Sequence, residues 1–146
     1  MHITPIHTTA LRLHPQQDLK AELEAFVQTQ GIEAACIITC VGSLTQAAVR
    51  FAGQADGTLL EGKFEIVSLA GVMSRHGSHY HMAIADSTGR TLGGHVMPGC
   101  LIYTTAEIII GILPHLSFWR EPDPITTYQE LAIGFIDPKD LIDPKE

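Results

Sequence analysis

The chain has 146 residues, of which 45% are hydrophobic and 17% charged, a mean hydropathy of +0.16 and a formal net charge of −7. Residues 1–146 suit a single domain with its core over about 11–136, long enough to bury a substantial interior, ahead of a short polar tail. The excess of acid over nine lysines and arginines argues against a broad grip on a nucleic-acid backbone, where affinity rests on cations.

No run reaches membrane-span length; the longest apolar stretch, "AEIIIGIL", is strand-sized and already contains Glu107. The start, "MHITPIHTTALRLHP", has neither a basic n-region nor an apolar h-region, so nothing suggests secretion. Cys36, Cys40 and Cys100 are odd in number, form no C-x-x-C pair and stand in apolar strand-like contexts, which reads as free buried thiols. A reduced, cytoplasmic protein is the expectation. The surplus of apolar residues predicts that a partner subunit covers part of the surface.

Along the chain, "TTALRLHP" alternates and ends at Pro15, predicting a first strand. "QDLKAELEAFVQTQ" sets Leu19, Leu23, Phe26 and Val27 on one helical face, with Asp18 in the first turn and Gly31 as a stop. Ala34 to Phe51 fits two β segments, joined or bent at Gly42-Ser43, and "GQADG" marks a turn. "KFEIVSLAGVMS" reads as a strand, followed by two more within "HYHMAIADSTGRTLGGHV". "CLIYTTAEIIIGIL" is ambiguous, because Thr104 and Glu107 have capping-box spacing, but its isoleucines favour strand. "LPHLSFWREPDP", with three prolines, predicts an irregular arm, and "YQELAIGFID" a short last strand. One clear helix, a possible short second one and six or more strands give an α+β class around a largely antiparallel sheet.

The chemistry concentrates in residues 79 to 96. A three-residue loop Ser87-Thr88-Gly89, with glycine third, suits a type I turn closed by a left-handed residue. Asp86 then opposes Arg90, a favourable charge pair. Five steps back along one strand and five forward along the other bring His81 opposite His95. His79 lies two residues before His81 and shares its face. Three convergent imidazoles suit a zinc-class divalent ion with a fourth position open to water or ligand; copper, iron and nickel also accept this donor set. The alternative is three scattered surface or core histidines, which a single slip in register would restore.

Other candidates carry less. Glu107 interrupts an apolar strand and calls for a partner, either Arg50, a metal-bound water or a neighbouring subunit. Arg50 could hold an anionic ligand or pair with Glu107. His76 could join the histidine face, whereas His2, His7, His14 and His115 read as solvated. "GSL" at 42 to 44 could offer backbone amides to an anion, and Phe118 and Trp119 read as packing against another chain.

"GSLTQAAVRF", "FEIVSLAGVMS", "HYHMAIADSTGRTLGGHV" and "GCLIYTTAEIIIG" together resemble the PPC domain, the plant and prokaryote conserved domain, from about residue 11 to about 136. That resemblance implies a strongly curved antiparallel sheet with flanking helices, a homotrimer, and three metal-binding histidines matching His79, His81 and His95. It also implies a DNA-binding alternative, since the plant domain follows AT-hook segments; no R-G-R-P occurs here and the chain is acidic. The histidine stretch is also similar to the zinc-binding stretch of acetolactate decarboxylase, H-x-H followed by G-G-H. There the ion chelates a hydroxy-keto acid, which would cast Arg50 and Glu107 as assisting groups. A cupin resemblance rests on H-x-H with Asp86 and Gly93 downstream, without the usual glutamate or a second motif.

The expectation is therefore a cytoplasmic homotrimer whose three histidines hold one divalent ion, zinc, and bind a small oxygen-rich metabolite; if the chain is an enzyme, it transforms that metabolite by metal-dependent lyase or hydrolase-type chemistry. A DNA-binding regulatory protein is the alternative.

Overall fold

In the computed structural model, which describes residues 3–137 and residue 139, the elements run β1 (His7–Leu13), α1 (Leu19–Gln30), β2 (Ala35–Arg50), β3 (Thr58–Ser74), β4 (Gly77–Ala85), β5 (Thr91–Val96), β6 (Leu101–Ile112), β7 (Leu116–Pro122) and β8 (Gln129–Phe135). The first six strands form one antiparallel sheet in the order β1-β6-β2-β3-β4-β5. Strand β5 also returns to the end of β2, pairing Val49 with Val96 and Arg50 with His95. Strands β2 to β5 therefore close on themselves, and the sheet is curved. Register shifts between Leu44 and Gln46 and between Ile66 and Ser68 put an extra residue into these strands, which increases local twist and bends them.

The helix forms where its apolar spacing predicts. Leu19, Leu23 and Val27 are buried and Phe26 packs against the same core. That core includes Leu44, Val49, Ile84, Ile102, Ile108 and Ile110, all with 1% exposure or less. Asp18 is the N-cap and not a first-turn residue, and Gly31 ends the helix in the left-handed region at φ 62°.

Several sequence expectations need refining. Ala35–Arg50 is one long strand, bulged beside Gly42 where β6 crosses so closely that a Cβ would strike the Thr105 carbonyl. Thr104 to Glu107 start no helix; they lie inside β6, so α1 stands alone among the described residues where flanking helices were expected. The supposed irregular arm is a correction too: "LSFWREP" is strand β7, paired with β8 in a separate two-stranded sheet. Its prolines do not break it because Pro114 precedes the strand, Pro122 ends it and Pro124 lies in the turn. The tail from residue 138 onward lies outside the described residues except for residue 139. No helix among the described residues is long and apolar enough to cross a membrane.

Asp18 ties the helix to the loop between β5 and β6. Its Oδ1 accepts from the Ala21 amide at 3.0 Å and its Oδ2 from the Gly99 amide at 2.6 Å. Asp18→Ala removes both and is expected to cost about 1–3 kcal/mol in urea unfolding. Asp18→Asn keeps the cap but turns an amide toward Gly99, and is expected to fall between the two. An Ala variant as stable as the parent would show that the cap carries no weight.

Candidate metal centre

The site is built by the β4–β5 hairpin. Gly89 takes φ 80° and closes the loop, with the Gly89 amide donating to the Asp86 carbonyl at 2.9 Å and the Asp86 amide to the Arg90 carbonyl at 3.0 Å. Asp86 Oδ1 accepts from the Thr88 hydroxyl at 2.6 Å, the Thr88 amide at 2.9 Å and the Arg90 amide at 3.1 Å. Those bonds, the Thr88 hydroxyl first, hold the Asp86 carboxyl below its ordinary range. Arg90 Nε lies 3.4 Å from Asp86 Oδ2, so the expected charge pair forms.

The register follows from that turn. Ala85 faces Thr91, and counting on brings His81 opposite His95. His79 shares their face, while Tyr80 between them points inward and is buried, its hydroxyl donating to Met73 Sδ at 3.1 Å. The ring centroids are 4.8 Å apart for His79 and His81, 4.9 Å for His79 and His95, and 5.7 Å for His81 and His95. One ring nitrogen from each lies within 4.8 Å of the others, and the Nε2 atoms of His79 and His81 are 3.1 Å apart. Burial, then the His81 and Arg120 charges, lowers the His79 pKa; burial, then His79 and Arg50, lowers that of His95 to about 4. Both rings are thus held neutral at pH 7, the form whose lone pair can bind a cation.

Gly93 and Gly94 let β5 approach both neighbours. A Cβ on Gly93 would strike the Met82 carbonyl of β4, and one on Gly94 would sit 2.5 Å from the Arg50 carbonyl of β2. Arg50 is accordingly set opposite His95 at the site. The histidines open into a cleft of about 490 Å³ whose wall includes Arg50, Ser78, Arg120, Tyr128 and Glu130. A second cleft of about 540 Å³ continues past Arg50 and His95 under residues 51–55.

Of the residues singled out in the sequence, the fold brings together the three histidines and Arg50. Glu107 is elsewhere in the same chain: it pairs in register with Arg12 and Val41. Val41 is nine residues from Arg50 along β2, about 30 Å of extended strand. Glu107 is exposed because it alternates with the buried Ala106 and Ile108, so water meets its charge and no internal partner is required. Arg50 and Glu107 therefore do not pair. His76 stays outside the cluster, its Nε2 3.1 Å from Glu33 Oε2. Residues 42 to 44 lie within the β2 ladders, where Ser43 Oγ is 2.8 Å from Thr104 Oγ1, and offer no open anion site. All three cysteines are free; burial pushes the Cys40 and Cys100 thiols up to about 11.

Sequence reasoning missed the contribution of the β7–β8 hairpin, whose Arg120, Tyr128 and Glu130 line the cleft. The available signal was the period of "FWR": Phe118 is buried, so Arg120 two residues on shares its inward face.

The chain belongs to the Plants and Prokaryotes Conserved (PCC) domain family, whose model matches residues 4–114. Among solved structures, it resembles a hypothetical protein from Salmonella cholerae-suis at 46% identity and TM-score 0.90, covering 92% of this chain and 97% of that one. A metal-containing protein from Archaeoglobus fulgidus shares the fold at 24% identity and TM-score 0.72, covering 94% of this chain and all of that one. The Bifunctional protein GlmU of Synechococcus sp. (strain JA-3-3Ab) is 50% identical over 123 residues, 84% of this chain; the chain spans a fifth of that relative's length. An AT-hook motif nuclear-localized protein of Arabidopsis thaliana is 24% identical over 110 residues, 69% of this chain and 28% of that protein.

Proposed function

We propose that this chain is a homotrimeric metal-binding protein in which His79, His81 and His95 hold one divalent ion, zinc, that binds a small oxygen-rich metabolite. The observation that carries the reading is the convergence of three ring nitrogens, all within 4.8 Å of one another, at the mouth of a cleft. Tetrahedral zinc with nitrogen ligands at 2.0–2.1 Å needs ligand atoms about 3.3 Å apart, which small side-chain rotations reach. The depressed His79 and His95 favour the neutral, ligating form. A metal-containing relative with this fold adds support. Such an ion supplies Lewis acidity or an activated water when bound. Arg50 stays beside the histidines as an assisting cation, whereas Glu107 would take part only when a neighbouring subunit brings it.

The trimer is supported by apolar side chains left uncovered on the sheet. Ile38, Val41, Leu59 and Val67 are 48–57% exposed on β2 and β3. Closed symmetry would bury them.

A DNA-binding role is the second reading, favoured by the name of the Arabidopsis relative. Against it stands a chain of net charge −7 whose nine lysines and arginines are dispersed, a field that a trimer would multiply.

Protein purified without an affinity tag is expected to carry about one zinc per chain, and His81→Ala to lose most of it while keeping its fold. Full zinc occupancy in that variant would sink the assignment. Sedimentation at micromolar concentration is expected to give a trimer, and a monomer would count decisively against it. No submicromolar binding to duplex DNA is expected at physiological salt. Tight binding that weakens steeply as salt rises would instead restore the DNA-binding role.

A further inference from the structure

We propose that Arg50 and Arg120 form an anion seat beside the histidines, so that the ligand of this cleft is a small oxyanion. Its carboxylate or phosphate group sits on the two guanidiniums while another of its oxygens faces the histidines. The seat rests on the arginines alone; the role of the second oxygen rests on the metal reading above.

Two strands from different parts of the fold deliver these cations to one place. Arg50 ends β2 directly opposite His95, held there by the close approach of Gly94. Arg120 comes from β7, and its position is fixed independently. Phe118, two residues earlier, is buried, donates its amide to the Glu33 carbonyl at 2.9 Å and accepts from the Ser74 hydroxyl at 2.8 Å. The Arg120 stem crosses Gly77, where a Cβ would stand 3.2 Å from its Cγ. Gly77 opens β4 two residues before His79, which leads the guanidinium to the histidine face.

Neither guanidinium is ion-paired among the described residues. Arg75 pairs with Glu33 and Arg90 with Asp86, but no carboxylate among the described residues lies within ion-pair distance of Arg50 or Arg120. The acid in the cleft wall, Glu130, instead accepts from the Thr126 hydroxyl at 2.9 Å. Two unpaired, half-buried arginines in a chain of net charge −7 run against its overall balance. Their flat forked donors match a carboxylate or phosphate in two-point contact. A neutral polyol can accept single hydrogen bonds from the forks but brings neither the charge nor the flat two-oxygen edge. The cleft, about 490 Å³, suits a small molecule. The family match ends at residue 114, so Arg120 and its hairpin lie beyond it. The seat thus joins Arg50, inside the matched span, to a cation from the hairpin outside it.

The test titrates the full chain, zinc-loaded and metal-free, with inorganic phosphate, with malonate and with erythritol as a neutral probe. Zinc content and melting temperature are measured on each sample. In the zinc-loaded chain at least one anion is expected to bind and erythritol not to. Arg50→Gln and Arg120→Gln should each weaken anion binding about tenfold or more, with zinc content unchanged. Arg120→Lys should fall between parent and Gln, because it keeps the charge and loses the fork. Arg12→Gln, which removes an exposed charge on β1, should leave affinity unaltered. Preference for phosphate or for malonate identifies the source of the anion. If no zinc binds but the arginine variants still lose anion affinity, the seat stands and the metal reading falls. Parent-like anion affinity in folded Arg50→Gln and Arg120→Gln, erythritol bound as well as the anions, or neither anion bound would each overturn the seat.

Discussion

The return of β5 to the end of β2 is the contact on which the site depends. Without it the β4–β5 hairpin would still align His81 with His95, but Arg50 would have no reason to stand beside them. The pairing of Val49 with Val96 and Arg50 with His95 is allowed by Gly94, which lacks the Cβ that would collide with the Arg50 carbonyl, while Gly93 does the same toward β4. It is continued by the Met97 amide, which donates to the Ala48 carbonyl at 3.0 Å. Cys100 then seals the seam: its thiol donates to the same carbonyl at 3.3 Å, and the Ala48 amide reaches its sulfur at 3.4 Å. Val49, Val96 and Cys100 are almost wholly buried there, so apolar burial and backbone pairing act on the same few residues. The thiol, kept protonated by burial, serves as a small apolar filler with a weak donor.

The second device is the β7–β8 hairpin. A lone two-stranded ribbon is marginal in water, so it must be held by something else. Phe118 supplies apolar burial, and the backbone bond to Glu33 and the Ser74 hydroxyl fix its distance from the body. Trp119 on the outer face lies over Gly134, where a Cβ would come within 2.8 Å of the ring, so the ribbon also packs on itself. Such an anchored flap can vary in the residues it offers the cleft without disturbing the sheet. Loop and edge elements on a rigid scaffold are where binding specificity concentrates.

How far the sequence reveals this depends on the range of the interaction involved. The hairpin turn is local: Asp86, Thr88 and Gly89 state its geometry within five residues, and period-two counting then places all three histidines correctly. The helix is equally local, with its cap, stripe and glycine stop in one window. The β5–β2 closure is not. It joins residues 45 and 47 apart, and the paired glycines hint only that something comes close. Glu107 shows the opposite error. An acid inside an apolar run suggests a buried partner, but strand alternation simply turns it to water while its neighbours enter the core. The arm at 113–124 departs from expectation because proline density signals irregular structure only where it interrupts a ladder. What matters is whether each proline must donate to a ladder, and its three do not.

These elements share an electrostatic consequence. The chain is acidic overall, yet its cleft gathers two unpaired arginines and three imidazoles of which two are held neutral. If those imidazoles were protonated, they would repel the arginines and each other; kept neutral, they can share the cleft with the guanidiniums. The same burial that lowers their affinity for protons leaves lone pairs for a cation, whose charge would add to that of Arg50 and Arg120. With Glu130 offsetting one of the two guanidiniums, the cleft still carries net positive charge and focuses its field outward through the opening, in a chain whose overall charge is negative. An acidic protein can thus recruit a small anion to one place and still be poorly suited to a polyanion. A phosphate backbone must lie along a surface, whereas a small oxyanion needs only the cleft.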